Sequence, residues 1–226
     1  MTDIFYDVET KELIDTSAPD QDAAIRALTM SVGVTFCDCH DAQTFRATAP
    51  LVQCLLAHDR IIGFNIIHFD NTVLAWSPDR PIRDPRDPDT LRVPDSPTEL
   101  KKLLDQKSFD LLADLETRLG HRVGLAALAE GSLGRQKSAS GPQAVVWNRL
   151  AVTLRDRWPL ALTNVGDTEG AERVNELGAW FQERLEKYCL QDVLLVKKIL
   201  EYGIVNKRVA YIDFEGERRV VKVQWK

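Results

Sequence analysis

Long apolar runs are missing from this chain of 226 residues. None reaches the ~18 residues that a membrane helix requires, so a membrane partner is not expected. Positive charge is also short: 29 Lys and Arg stand against 34 Asp and Glu, for a formal net charge of −5. That balance excludes a strongly cationic protein that coats nucleic acid. Cysteine is scarce as well. Four residues (Cys37, Cys39, Cys54 and Cys189) are too few for a disulfide scaffold and fit a reducing, cytoplasmic compartment. The opening Met1-Thr2-Asp3-Ile4 has neither the basic nor the apolar region of a secretory leader, so none is expected. The cluster Cys37-Asp38-Cys39-His40 matches no common zinc spacing, and no second ligand pair follows it. A strand that alternates its side chains accounts for the same residues.

What is present suits one domain with a buried core, since 44% of the residues are hydrophobic. Residues 3–8 alternate and are rich in Ile, Phe and Tyr, which predicts a strand. Residues 29–37 predict a second strand, and 44–46 a short third that closes a hairpin. A helix is expected over 50–58, a short buried strand over 60–64 and a helix over 70–76. Between residues 77 and 98 lie six of the ten prolines, a density that predicts a surface loop. Ser108–Leu112 predicts a strand end or helix start. Helices follow near 111–119, 123–130, 144–157 and 174–202, the last broken or capped within its length, with Gly203 placed to stop it. The tail predicts a closing hairpin around Gly216. The fold class is therefore α/β, a mixed sheet covered by helices, with residues 1–205 as the domain and 206–226 as its hairpin extension.

Three separated segments carry carboxylates where they are unusual. Asp7-Val8-Glu9 ends the first strand, and residues two apart on a strand share a face. Asn65-Ile-Ile-His-Phe69-Asp70 follows an apolar strand and opens a helix; a helix cap and a turn would explain Asp70 and Asn65 equally well. Tyr188-Cys-Leu-Gln-Asp192 places a phenol and an acid one helical turn apart, on a face bordered by apolar positions. An aspartate directed inward there calls for a cation.

In that order (D-x-E, N-x-x-x-F-D, Y-x-x-x-D) the segments resemble the DEDDy 3′–5′ exonucleases of the ribonuclease H-like superfamily. The proofreading domains of family-B DNA polymerases and their stand-alone relatives are the nearest likeness. The segment Leu125-Ala-Ala-Leu-Ala-Glu-Gly-Ser-Leu-Gly134-Arg-Gln-Lys137 is similar to the leucine-rich helix and following loop of that family. The histidine branch would carry His five residues before the last Asp; this chain has Lys187 there, which favours the tyrosine branch.

The resemblance implies a three-layer ribonuclease H-like fold and two divalent cations, Mg²⁺ or Mn²⁺, about 4 Å apart on the scissile phosphate. Asp7 would bridge both ions, Glu9 and Asp192 would complete the water-activating site, and Asp70 would support the second ion. Tyr188 would orient the attacking water, because an ordinary phenol with a pKa of about 10 is a poor base near neutrality. Asn65 would bind the sugar–phosphate backbone, Phe69 would pack on the terminal nucleotide and Lys137 would contact phosphate. The implied activity removes nucleoside 5′-monophosphates from single-stranded 3′ ends, DNA before RNA, with a polymerase or helicase as partner. The alternatives are an exoribonuclease trimming RNA 3′ ends and a non-catalytic module that binds nucleic-acid ends or a helicase. The four proposed ligand acids account for four of the five net negative charges.

Overall fold

In the computed structural model, which describes residues 2–81, 94, 96–137 and 139–226, the first strand sets the layout. Strand β1 (Asp3–Thr10) sends Ile4, Tyr6 and Val8 to one side of the sheet and Phe5 to the other. By the same period of two, Asp7 and Glu9 follow Phe5. β2 (Met30–Cys37) and β3 (Asp41–Phe45) add antiparallel neighbours on one flank. β4 (Arg60–Gly63) and β5 (Ser108–Asp110) add parallel neighbours on the other. The order is β3-β2-β1-β4-β5, so the acid-bearing strand lies in the middle.

Each face buries its own apolar cluster, giving three layers. The Ile4–Tyr6–Val8 face is covered by α1 (Gln21–Arg26), α2 (Thr48–Leu56), α3 (Asp70–Trp76) and α4 (Pro97–Lys107). α2 lies so close that a Cβ on Gly33 would come within 2.5 Å of Leu51 Cδ2. On the other face lie α5 (Leu111–Leu119), α6 (Leu125–Leu133), α7 (Gly141–Val152) and α9 (Thr168–Asn206), with α8 (Trp158–Asn164) packed on α9. Five π-helical residues, Thr153–Arg157, join α7 to α8. Among the described residues no helix is long and apolar enough to cross a membrane.

The C-terminal hairpin, β6 (Arg208–Ile212) with β7 (Arg218–Lys222), forms its own two-stranded sheet. It docks on the α5–α9 face through close backbone packing. A Cβ on Gly131 would stand 2.5 Å from Tyr211 Cα, and Ser132 Oγ donates to Ala210 O at 2.7 Å while accepting from Ala210 N at 2.8 Å. Trp225 is buried, and its Nε1 donates to Asp114 at 2.7 Å.

Several expectations need correction. The last helix is unbroken over 39 residues and starts earlier, with Asp167 as its N-cap. It passes through Gly203, whose missing side chain makes room for the Trp225 ring, and it stops at Lys207, which takes a left-handed φ of 54°. α4 starts inside the stretch expected as loop: Ser96 accepts from Glu99 N at 3.2 Å, and Pro97 occupies the first turn, where its missing N–H costs nothing. Residues 82–93 and 95 of that proline-rich segment lie outside the described residues. Cys39 and His40 fall in the β2–β3 turn rather than on a strand, and a disulfide joins Cys37 to Cys39.

Candidate active site

The carboxyl end of β1 meets the middle of α9, and the carboxylates converge there. Asp7, Glu9 and Asp192 each offer an oxygen within 4.8 Å of the others. Helical spacing explains the third member: Leu185, Cys189, Val193 and Val196 face the sheet, and Tyr188 and Asp192 border that stripe. Asp70 joins from the far side of β1. It is the first residue of α3, is nearly fully buried, and accepts a hydrogen bond from Val8 N at 3.0 Å, between the two acids of the strand.

Crowding and burial act on these acids together. Burial first, then the Asp192 charge, raises the Asp7 carboxyl to about 7, while Lys137 and the Cys189 thiol pull it down. Glu9 is raised well above the usual carboxylate range, by burial and then by Asp7 and Asp192. Asp70 is raised by burial and then by Asp7, against the Val8 hydrogen bond. Asp192 is raised by burial, with Lys137 working against it. Clustered acids in a low dielectric resist sharing full ionisation unless a cation joins them.

Lys137 supplies part of that cation. Its Nζ donates to Asp192 Oδ2 at 2.6 Å and to the Tyr188 hydroxyl at 3.1 Å. The loop after α6 thus delivers an ammonium into the carboxylate cluster, where the resemblance implied a phosphate contact. Tyr188 is buried, stacks edge-on to Trp147, and has its phenol pushed far up by burial and then by the neighbouring carboxylates. It is a neutral hydroxyl, fitted to donate or accept a hydrogen bond and unfitted to act as a base.

A cleft of about 470 Å³ opens on this cluster. Asp7, Asp70, Asp192 and Lys137 are among the residues that line it, as are Asn65, Phe69 and Arg122. Every site residue singled out by sequence, with Glu9 and Tyr188 bordering through their carboxylate and Lys137 neighbours, therefore belongs to one region.

Three further residues shape the site. Asp110 caps α5, accepting from Leu112 N at 2.9 Å, and also holds the turn after β4 through Asn65 N at 2.8 Å and Ile67 N at 3.0 Å. Asn65 sits there with a left-handed φ of 68°, which Asn tolerates better than most residues. Arg122 donates to the Asn65 side chain and leaves a half-exposed guanidinium in the cleft. Cys189 donates its thiol to the Asp7 carboxylate at 3.4 Å. An acid ahead of an amphipathic run is a visible signal for Asp110 as a cap. Nothing in the local sequence marks Arg122 or Cys189.

The donor set is carboxylate oxygen throughout, which suits a hard divalent cation such as Mg²⁺ or Mn²⁺ and not a thiophilic one. Comparison with family models, curated proteins and solved structures finds no match for the chain.

Proposed function

We propose that the chain is a divalent-metal-dependent 3′–5′ exonuclease of the DEDDy type, built on a ribonuclease H-like fold and acting on single-stranded DNA ends. The observation that carries this reading is the convergence of Asp7, Glu9 and Asp192 within 4.8 Å, from β1 and α9, with Asp70 bonded to the intervening Val8 amide. The central position of the acid-bearing strand in a mixed, helix-covered sheet supports the fold assignment.

Asp7, Glu9, Asp70 and Asp192 would hold Mg²⁺ or Mn²⁺. When bound, the metal supplies Lewis-acid activation of water and neutralises charge on the phosphodiester. The rest falls to the chain's own groups. Tyr188 keeps its proton and orients water by hydrogen bond, and Lys137 fixes the phenol while offsetting the Asp192 charge. Arg122, with several donors in a fixed fork, suits a backbone phosphate of the substrate, and it holds the Asn65 side chain in place. Phe69 offers a ring for base-tolerant stacking. Overall, water adds to the terminal phosphorus, the 3′ oxygen of the preceding nucleotide leaves, and a nucleoside 5′-monophosphate is released.

Matched DNA and RNA single strands labelled at the 5′ end test the proposal when incubated with Mn²⁺ or Mg²⁺. The expected result is a ladder shortening from the 3′ end, faster on DNA. Intact strands under both metals would overturn the assignment, and faster trimming of RNA would make the enzyme an exoribonuclease.

A further inference from the structure

The opposite end of β1 carries a second cluster of ligand types, chemically unlike the first. Cys37 closes β2, Cys39 and His40 occupy the β2–β3 turn, and His58 stands between α2 and β4. One ligand atom from each of the four lies within 4.8 Å of the others. We propose that Cys37, Cys39, His40 and His58 form a structural Zn²⁺ site when the two cysteines are thiols.

Ligand type is the first ground. Two sulfurs and two imidazoles are the donor set that zinc takes in closed, tetrahedral structural sites. Two thiolates balance a divalent cation, so the loaded cluster is neutral and can sit at the edge of a core.

Orientation is the second. His58 Nδ1 lies 2.8 Å from the Cys54 carbonyl, which can only accept, so the ring proton is on Nδ1. The lone pair is then on Nε2, 3.7 Å from Cys39 Sγ and directed into the cluster. A ligating histidine fixed through its other nitrogen by a backbone carbonyl is the usual outer-shell support of a metal site. Lys107 Nζ also bonds the carbonyls of Leu56 and His58, so the main chain that carries the ring is tied down. The His40 ring stands edge-on to that of His58, with centroids 6.3 Å apart.

Access is the third. Cys37 and His58 are buried while Cys39 and His40 are exposed, which leaves an open rim through which an ion can enter.

The Cys37–Cys39 disulfide and the metal site exclude each other. A dithiol reductant gives two electrons and two protons to the S–S bond, becoming a disulfide itself and leaving two thiols. Zn²⁺ then displaces both thiol protons. The loaded site would tie the β2–β3 turn to the α2–β4 junction, far from the carboxylates, and serve stability rather than catalysis.

Cobalt(II) tests this on the full chain, because thiolate ligation gives a near-ultraviolet charge-transfer band that carboxylate ligation does not. Protein reduced with a dithiol, freed of it without air and titrated with Co²⁺ is expected to develop that band to one equivalent. Zn²⁺ should bleach it, and Asp7→Asn should leave it unchanged. Cys39→Ser should cut it to half or less and Cys37→Ser with Cys39→Ser should abolish it, and His40→Gln, at an exposed position, should weaken Co²⁺ binding roughly tenfold or more. Absence of the band in reduced protein with an unaltered circular dichroism spectrum would overturn the proposal. So would undiminished affinity in both His40→Gln and His58→Gln.

Discussion

The two faces of β1 treat buried polar groups in opposite ways. On the α1–α4 face, Tyr6 donates to Asn71 Oδ1, Asn71 donates to Asp105 at 2.8 Å and to Ser108 at 3.1 Å, and Lys101 closes the network on Asp105. On the α5–α9 face, Asp7 and Glu9 meet Asp192 with Lys137 as their cation. Among the described residues no buried side-chain nitrogen or oxygen lacks a hydrogen-bond partner, so satisfaction does not separate the faces. The sign of the neighbours does. Donors meet acceptors through the Tyr6–Asn71–Asp105 network, whereas like charges meet around Asp7, with Asp70 reaching that cluster from α3, and this second pattern costs stability unless a cation joins it. A fold tolerates such a site where function requires it.

Substitutions sharpen the contrast. The largest effect is expected from Asp7→Ala, which should lower 3′-end hydrolysis by about a thousandfold or more. In metal-free protein at pH 8 its Tm should equal or exceed that of the parent, because a repelling charge has gone. A clear loss of Tm would erase the difference between the faces. Asn71→Ala should do the reverse. It leaves the Tyr6 hydroxyl without its partner and takes from Asp105 one of its two donors, Lys101 remaining, costing roughly 3 kcal/mol and lowering Tm by about 6–12 °C. Its kcat per folded molecule should stay near that of the parent in the same digestion assay.

Tyr188→Phe should fall between these extremes, with kcat down about ten- to a hundredfold and KM little changed. The hydroxyl acts as an orienting group, so the pH–rate profile should keep its shape in the variant. A profile that lost its alkaline limb would make Tyr188 a titrating participant.

The smallest effect is on stability against pH. Asp7 has a folded pKa of about 7, whereas an unfolded aspartate has one of about 3.9. The folded chain thus holds an extra proton between those values, and stability is lost as pH rises through this window. Metal-free protein should melt about 5 °C higher at pH 5 than at pH 8, and Mn²⁺ should recover most of the deficit at pH 8. Asp7→Asn should reduce the dependence, leaving the share that comes from the raised carboxyls of Glu9, Asp70 and Asp192. An unchanged slope in that variant would place the titrating group elsewhere.

How far these faces could be read from sequence depends on the range of the interaction. The D-x-E pair follows from the strand period, and Tyr188 with Asp192 from the helical one, so both were legible locally. The strand order was not, because crossovers leave no periodic trace. α4 was obscured by the prolines before it, although Ser96-Pro97 is a helix start in its own right. Gly203 reads as a stop, yet it lies inside α9 because Trp225, more than twenty positions later, fills the space above it. Arg122 reaches Asn65 across a sequence separation of 57, and His58 reaches Cys39 across 19, with β3 and α2 intervening. Contacts of that kind appear only when the sheet is assembled.

Calorimetric titration with Mn²⁺ of the parent chain and of Asp7→Ala, side by side at pH 7.5, is the most direct test of the central claim. The acid-crowded face predicts saturable binding to the parent with protons released as the raised carboxyls ionise, and binding lost or severely weakened in the variant. Absence of Mn²⁺ binding to the parent, or equal binding to both proteins, would contradict it.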